Sequence, residues 1–436
     1  MNKLKAIFTN KDVLKKMGIT ILILLAFRIL VWVPIPLIDV QNLTGFIKQN
    51  EFLAILNNFS GQALGNLSIM AMGISPYITA SIVIQLLQMD IIPILKEWGE
   101  QGEAGKQKIN RLTRIVALIL AFIQSLVLLL GLGAARGGAL IPRILEPKII
   151  HYIYMALVMT AGTAVAIFIG DLITKYGIGN GTSMLIVAGI VTSLPAMVTQ
   201  LWTLYIKPPA GEALDIFLFI LIMVLNVAVL IGVTYLELAK RKIPIQYANV
   251  RAGRGKTDSN LPIKLNTAGV IPVIFASTIL SIPLSILGMM DDSSSESGVG
   301  YWLSQIFNYQ NPIGFVLYMV LIMLFAFFYS FLMFNPESVA ENLSKSNAYI
   351  PGIRPGEDTT NYISRLLFKI TVLGTVYLMI LAALPIVTTI IFGFKGTVAQ
   401  SVTIGGTSLI IVVGVALETV NQIITQSTEQ EYKRLF

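Results

Sequence analysis

The residue types that usually carry chemistry are scarce in this sequence. It contains no cysteine and a single histidine, His151, which stands at the edge of an apolar segment. Disulfide bonds, thiolate chemistry and a histidine metal cluster are therefore excluded, and we interpret His151 as structural. We expect no enzymatic activity, no metal and no cofactor.

Glycine-rich stretches come close to nucleotide-binding motifs but fail on spacing. In GEQGEAGK, Gly99 and Gly105 are one residue too far apart for a phosphate-binding loop, and no strand precedes them. In the second near match, which ends in GRGKT, Val250 stands where the first glycine is required. GIGNGT is not a dinucleotide fingerprint, because Thr182 replaces the last glycine. The sequence therefore supports no nucleotide site.

The elements that must position any site are membrane helices. The chain has 436 residues, is 55% hydrophobic and only 12% charged, and has a mean hydropathy of +0.77, whereas soluble domains are about 25% charged. A bilayer core requires about 20 apolar residues per helix. We therefore expect an all-α polytopic membrane protein with ten spans, at about 17–37, 69–88, 112–134, 150–172, 182–202, 214–236, 267–289, 312–334, 366–392 and 405–424.

The distribution of lysine and arginine predicts the orientation. Ten spans place both termini on one side, and most of the 31 lysines and arginines fall on that side. The loops of the opposite side contain only Lys48, Arg136, Arg143, Lys148, Lys207 and Lys395. Because cytoplasmic loops carry the excess of these residues, we expect both termini in the cytoplasm. The net charge of +8 is therefore a topology signal first.

The N-terminal segment, residues 1–16, is basic and amphipathic. Such segments lie on anionic lipids, although a flank that obeys the positive-inside rule explains the pattern equally well.

The stretch Asn57–Gln88 joins a polar part to an apolar part. Its first third is rich in asparagine, serine and glutamine, which would be left without partners in hydrocarbon. We predict that this part, at about 55–68, is a plug, formed as a re-entrant segment or a short tucked helix. In the apolar part, Ile74 and Ile78 are four residues apart and share one helical face, as do Thr182 and Ile186 in the fifth span.

The ten spans divide into two halves of five, at 17–202 and 203–424, followed by a cytoplasmic tail at 425–436. The second span of each half is interrupted by a glycine and, three residues later, a proline: Gly73 and Pro76 in one, Gly269 and Pro272 in the other. An odd number of spans per half makes the halves inverted. Matching broken helices in inverted halves point to a central pathway.

Charged groups within the spans are few, and this bears on what the pathway carries. Arg28 lies inside the first span, and we interpret it as structural; the other charges are at span edges, such as Asp171, Glu237 and Glu418. An ion-coupled transporter requires titratable groups at the midplane, so the sequence favours a passive conduit. A secondary transporter with inverted repeats stays an alternative, as does an insertase or scaffold without a pore.

Two cytoplasmic loops are candidates for partner binding. The loop at 240–264 is the most basic segment of the chain, suited to ribosomal RNA phosphates or an acidic protein face; a loop that obeys the positive-inside rule explains its charge equally well. The loop at 335–365 contains PGIRPGE, in which two prolines and two glycines fix a bend that presents Arg354.

Taken together, these stretches resemble the SecY family, the channel subunits of the bacterial Sec protein translocon. The resemblance covers essentially the whole chain. Its motifs are FSGQALGNLSI, GISPYITASIVIQLL, GEQGEAGKQKI, GIGNG, NTAGVIPVIFAS, FNPESVAENL, PGIRPGE and GGTSLIIVVG. It implies a clamshell of two inverted halves, an hourglass pore, a plug, and a lateral gate between the second and seventh spans with the third and eighth flanking it.

The resemblance also implies the roles of individual residues. The pore ring would consist of Ile74, Ile78, Thr182, Ile186, Ile274 and Ile411. Thr182 departs from the aliphatic residue usual at its position. The plug would contain Asn58, Phe59, Ser60, Gly61, Gln62, Ala63, Leu64, Gly65 and Asn66, and the contacts with SecA and the ribosome would include Arg241, Lys242, Arg254 and Arg354.

The function implied by the resemblance is a protein-conducting channel in the bacterial plasma membrane. It would pass unfolded secretory preproteins across the membrane and release transmembrane segments laterally into the bilayer. The implied partners are SecE- and SecG-type membrane subunits, signal-bearing preproteins, and either the SecA ATPase or a translating ribosome as the source of energy.

Overall fold

The computed structural model describes residues 11–36, 61, 63–88, 91–135, 149–206, 213–247, 259–287, 298–309, 311–391 and 408–426. The helices are α1 (Lys11–Leu30), α2 (Ser75–Gln88), α3 (Pro93–Glu100), α4 (Glu103–Ala135), α5 (Ile149–Tyr176), α6 (Gly181–Tyr205), α7 (Ala213–Leu238), α8 (Ile271–Leu287), α9 (Val299–Phe307), α10 (Pro312–Met333), α11 (Pro336–Lys345), α12 (Glu357–Ile391) and α13 (Ser408–Gln426). The strands are β1 (Lys240–Tyr247), β2 (Ser259–Lys264) and β3 (Ala348–Tyr349).

Each predicted span contains a helix, and the helical fold class is confirmed. Among the described residues, six helical segments are long and apolar enough to cross a membrane: α4, α5, most of α7, α10 continued through α11, α12 and α13. The pair α2 and α3 passes the same test as one bent span. The shorter or more charged helices α1, α6 and α8 occupy the remaining predicted spans, so the fold is consistent with ten.

The two interrupted spans begin in the same way. Gly73 and Gly269 have left-handed backbones, with φ of 54° and 64°, a conformation that favours glycine. Helices α2 and α8 start two residues later, and each has a proline, Pro76 or Pro272, at its second position. Proline is tolerated there because the first amide groups of a helix have no partner within it. Part of each predicted span is therefore non-helical.

Each half of the chain packs around its own core. In the N-terminal part, Leu129 of α4 and Met155 and Met159 of α5 are fully buried against Leu64 and Leu67. In the C-terminal part, helices α7, α8, α10 and α12 enclose a second core that includes Val233, Ala276, Ile322 and Ala382.

A small antiparallel sheet joins the two long loops that are predicted to be cytoplasmic, and sequence reasoning did not predict the sheet. The strand order is β2-β1-β3: Ile243 of β1 pairs with Leu261 of β2, and Gln246 pairs with Tyr349 of β3. Ile243, Ile263 and Ile350 are buried with Ile363 and Leu367 of α12. The basic segment 240–264 is therefore in part a hairpin packed on the end of α12, because its isoleucines alternate with lysine, proline and glutamine as in a half-buried strand.

Candidate functional site

The predicted ring residues meet in one apolar cluster, which we call the constriction cluster. Ile74, Ile186 and Ile411 are buried in it, and Ile78 and Ile274 pack against it, so it holds five of the six predicted ring residues. Phe27, Val31, Ala63, Met70, Ala166, Ile169, Ile173, Leu185, Ile190 and Val415 complete its buried part.

The ends of helices position these side chains. Ile74 directly precedes α2, and Ile78 lies in its first turn. Ile274 and Ile411 are each the fourth residue of their helix, α8 and α13, while Ile186 lies in the second turn of α6. Helices α8 and α13 come from the C-terminal part of the chain and the others from the N-terminal part. The constriction cluster is therefore a place where the two halves touch.

Thr182, the sixth predicted ring residue, is the second residue of α6, and its place in the ring stays a prediction. Its backbone amide and its hydroxyl both donate to Asn180 Oδ1, at 3.1 Å and 2.7 Å, which caps the start of α6. The capping group is the Asn180 side chain, which also gives the Thr182 hydroxyl a polar partner. Thr182 and Ile186 lie four residues apart on the same helix.

A second apolar cluster extends from the constriction along the contact between α2 and α8; we call it the seam cluster. Ile78 and Ile274 belong to both clusters. Ile82 of α2, Phe275 of α8, and Phe325 and Tyr329 of α10 form its centre, with the ring of Phe275 edge-on to the two others at 5.7 and 5.8 Å. Non-directional apolar contacts allow two helices to separate without leaving polar groups unpaired.

The predicted plug is only partly within the described residues. Asn58, Phe59, Ser60 and Gln62 lie outside them, while Gly61, Ala63, Leu64 and Gly65 are buried and Asn66 is half-buried. The part from 63 to 74 forms successive turns and not a tucked helix. Ala63 and Met70 belong to the constriction cluster, whereas Leu64 and Leu67 belong to the N-terminal core. This segment is therefore wedged between the constriction and the N-terminal core.

The charged groups at the span edges have structural partners. Arg114 of α4 forms an ion pair with Asp171 of α5 at 2.9 Å. Glu237, at the end of α7, accepts a hydrogen bond from Asn266 Nδ2 at 2.8 Å, and the same nitrogen donates to the carbonyl of Gly269. Asn266 thus ties the broken start of α8 to α7. In the part of the chain that the structure describes, no group of acidic or histidine residues is placed to hold a metal.

Three of the predicted partner-binding residues lie on the three-stranded sheet or beside it. Arg241 and Lys242 are exposed and, as neighbours on β1, point to opposite faces of the strand. Arg354 is exposed in a turn held by the Thr359 hydroxyl, which donates to the Arg354 carbonyl at 2.7 Å. Arg254 lies outside the described residues. The sheet brings the two loops together, so Arg241 and Arg354 belong to one structural unit.

Several members of the constriction cluster escaped sequence reasoning, among them Met70, Ile190 and Val415, while Ala63 was predicted as part of the plug and not of the ring. Ile190 and Val415 each follow a predicted ring residue by four positions, so helical periodicity was the available signal. Ala63 and Met70 lie in turns, where no periodicity marks a buried side chain.

The fold and the site define a polytopic helical membrane protein of the channel class, in which an apolar cluster and an inserted segment lie between the two halves. The chain belongs to the SecY family: the family model described as SecY matches residues 68–420. A relative named protein translocase subunit SecY, from Halalkalibacterium halodurans, is 42% identical over 433 residues, which is 98% of this chain and 97% of the relative.

Two solved structures share the fold. One concerns a SecY protein whose plug domain stabilises the closed state of the translocation channel; it has a TM-score of 0.60 and 18% identity over 95% of this chain and 92% of that chain. The other is Sec61 in the canine ribosome-channel complex from the endoplasmic reticulum, with a TM-score of 0.58, 18% identity and the same coverage. As a SecY family member, this chain is a subunit of a protein-conducting translocation channel.

Proposed function

We propose that this chain passes unfolded secretory preproteins across the bacterial plasma membrane and releases transmembrane segments sideways between α2 and α8. The observation that carries this proposal is the constriction cluster, in which isoleucines from both halves meet the buried Ala63 of the plug segment. An apolar constriction blocks water and ions by dewetting, yet it imposes no specific binding chemistry on a passing polypeptide. A conduit for chemically varied chains needs both properties.

The seam cluster supports lateral release. Because Ile78 and Ile274 belong to both apolar clusters, separating α2 from α8 opens the constriction and the seam together. A hydrophobic segment in the pathway then meets lipid through a contact that consists of isoleucine and aromatic side chains. The change exposes apolar groups to an apolar solvent, which is inexpensive in free energy.

Energy for transport comes, in this proposal, from a partner docked on the cytoplasmic sheet. Arg241, Lys242 and Arg354 are exposed on or beside a rigid unit that is packed on the end of α12. A SecA-type ATPase or the RNA of a ribosome supplies the acidic surface that these cations fit. SecE- and SecG-type subunits brace the two halves in the membrane. The termini face the cytoplasm, because most lysines and arginines lie on their side of the membrane.

Transport in liposomes tests the proposal. The chain is reconstituted with a SecE-type subunit and SecA, and a signal-bearing preprotein is added outside. We expect ATP-dependent protection of the preprotein from external protease, and no protection when this chain, SecA or ATP is omitted. Uptake of a small solute driven by an ion gradient, without preprotein protection, would instead indicate a secondary transporter.

Reversing the charge of Arg354 should uncouple the motor from the channel. The guanidinium of Arg354 has no partner among the described residues, and only its carbonyl supports the turn. Arg354→Glu should therefore leave folding intact and lower the rate of SecA-driven preprotein protection roughly tenfold, because it places like charges against an acidic partner.

The matched control is Lys15→Glu, the same reversal at an exposed lysine on α1. It should leave the SecA-driven rate unchanged. Equal transport by the Arg354 variant and the parent chain would rule out a motor contact at this turn.

A further inference from the structure

The charged residue inside the first span makes a specific contact with the plug segment. Arg28 Nη1, on α1, donates a hydrogen bond to the carbonyl oxygen of Gly61 at 2.5 Å. Among the described residues, no carboxylate pairs with Arg28. An arginine within a span carries a desolvation cost and usually has a functional or structural partner. Here that partner is a backbone oxygen of the plug.

Gly61 is seated against a helix on its other side. Its backbone is left-handed, with φ of 65°, and a Cβ atom added there would lie 2.8 Å from Cα of Gly189 on α6 and 3.0 Å from Arg28 Nη1. Gly61 therefore requires glycine, since a side chain there would meet the backbone of Gly189 and would need a left-handed conformation. The guanidinium holds the plug backbone directly against α6, one turn from Ile186 of the constriction cluster.

The other end of the same segment is tied to the residues that follow α1, and by a different type of contact. The amide of Ile35 donates to the Leu67 carbonyl at 2.9 Å and that of Ile69 to the Val33 carbonyl at 3.0 Å, around the antiparallel bridge between Pro34 and Ser68. We call this pairing the ladder. Leu67 and Ile35 are almost fully buried in the N-terminal core, whereas Arg28 is partly exposed.

These two attachments differ in how easily they come apart. Releasing the ladder leaves two buried backbone pairs unsatisfied and disturbs the N-terminal core. Releasing Gly61 breaks one charge-assisted hydrogen bond, and a partly exposed guanidinium can exchange that acceptor for water. Because arginine stays protonated at any physiological pH, the bond holds at all working pH values until something pulls the plug away.

We propose that Arg28 is the latch of the plug: it holds Gly61 against Gly189 in the closed channel and lets go on opening, while the ladder stays intact as the hinge. This inference rests on the proposed closure by the plug and assigns the residue that controls it. Arg28 is a positioning residue, since it acts on the pathway only through the plug.

Ion conductance of the reconstituted channel in planar bilayers tests the latch. Arg28→Gln should raise the fraction of time that the resting channel conducts about tenfold or more, as expected from losing a charge-assisted hydrogen bond. Arg28→Lys, which keeps the charge and loses the forked donor, should give an intermediate rise. Ile29→Gln, a polar change at the neighbouring exposed residue of α1, should match the parent chain.

A double-mutant comparison separates the latch from general damage. Deleting residues 57–66 removes the Gly61 acceptor, so Arg28→Gln added to that deletion should cause no further rise in conductance. A further rise of similar size would overturn the proposal, because Arg28 would then act on something other than the plug. So would a normally folded Arg28→Gln channel that stays as tight as the parent while the deletion leaks.

The same variants distinguish a wrong assignment of the latch from a wrong assignment of the plug. If the deletion itself leaves conductance unchanged, the proposed closure by the plug is wrong, and the proposed latch is wrong with it.

The hinge is tested separately with the double variant Pro34→Cys and Ser68→Cys. The chain has no native cysteine, and facing residues of such a bridge suit a disulfide. Oxidation should leave preprotein protection intact; a block reversed by reduction would show that the ladder opens.

Discussion

Replacing Ile186 with asparagine is expected to make the resting channel conduct ions, about tenfold or more above the parent chain. Ile186 is 7% exposed and packs in the constriction cluster with Ile74 and Ile411. The cluster keeps water out because its side chains offer water no partner. A buried amide without a partner costs about 1–3 kcal/mol, and that cost disappears when water enters. The substitution therefore favours the wet, conducting state.

Single-channel conductance without preprotein measures this effect. The matched control is Ile231→Asn, the same change at an isoleucine that is 61% exposed on α7. Both variants carry the same cost of placing an amide in a membrane helix, but only Ile186 faces the constriction cluster. An equal rise in both variants would mean that Ile186 contributes packing alone and is not part of a seal.

Deleting residues 57–66 is expected to hold the channel in a conducting state for a larger share of the time than any single substitution in the plug segment. The deletion removes the buried side chains of Ala63 and Leu64, which are 0% and 1% exposed, together with the Gly61 acceptor. It keeps Leu67 and the ladder, so the N-terminal core loses only the Leu64 side chain. Water can enter the space that these side chains leave beside the constriction cluster, and this favours wetting of the pathway.

Conductance at rest and preprotein protection should respond in opposite ways to this deletion. Conductance should rise, while protection should persist, because the plug closes the pathway and does not move the preprotein. Shortening the polar loop at 291–297 by a few residues serves as the control, since it removes serine-rich chain elsewhere. A tight channel after deletion would leave the isoleucine ring as the only barrier.

These two predictions treat the ring and the plug as barriers in series that share one apolar cluster. Ala63 touches the same cluster as Ile186, so a defect in either barrier weakens the other. Combining the deletion with Ile186→Asn should therefore give less than the sum of the two effects, expressed as free energies of opening.

Much of the architecture could be read from local pattern. The runs of apolar residues predicted helices in every span, and the two glycine-proline pairs predicted the breaks at Gly73 and Gly269, which the backbone confirms. Both signals are local. The thickness of the bilayer fixes the length of an apolar run. The positive φ that glycine permits and the fixed φ of proline affect only the two or three residues around them. The resemblance to the SecY family, carried by short motifs, is confirmed over most of the chain.

The three-stranded sheet shows where local pattern was insufficient. The alternation of Ile243 and Ile245 was present in the sequence, but the lysines around it indicated a solvated basic loop. The strand exists because Leu261 and Tyr349, from distant parts of the chain, supply its partners, and because α12 covers its isoleucines. Strand pairing depends on such non-local neighbours more than helix formation does.

Sequence alone determined which segments form apolar helices and where two of them break, because both depend on residues that are close together in the chain. Only the tertiary structure decided which side chains meet. It brought Ile74, Ile186 and Ile411 into one cluster and set the Arg28 guanidinium on the carbonyl of Gly61. Those contacts join residues that are far apart in the chain, and the packing of helices against one another, not any local preference, fixes their distances.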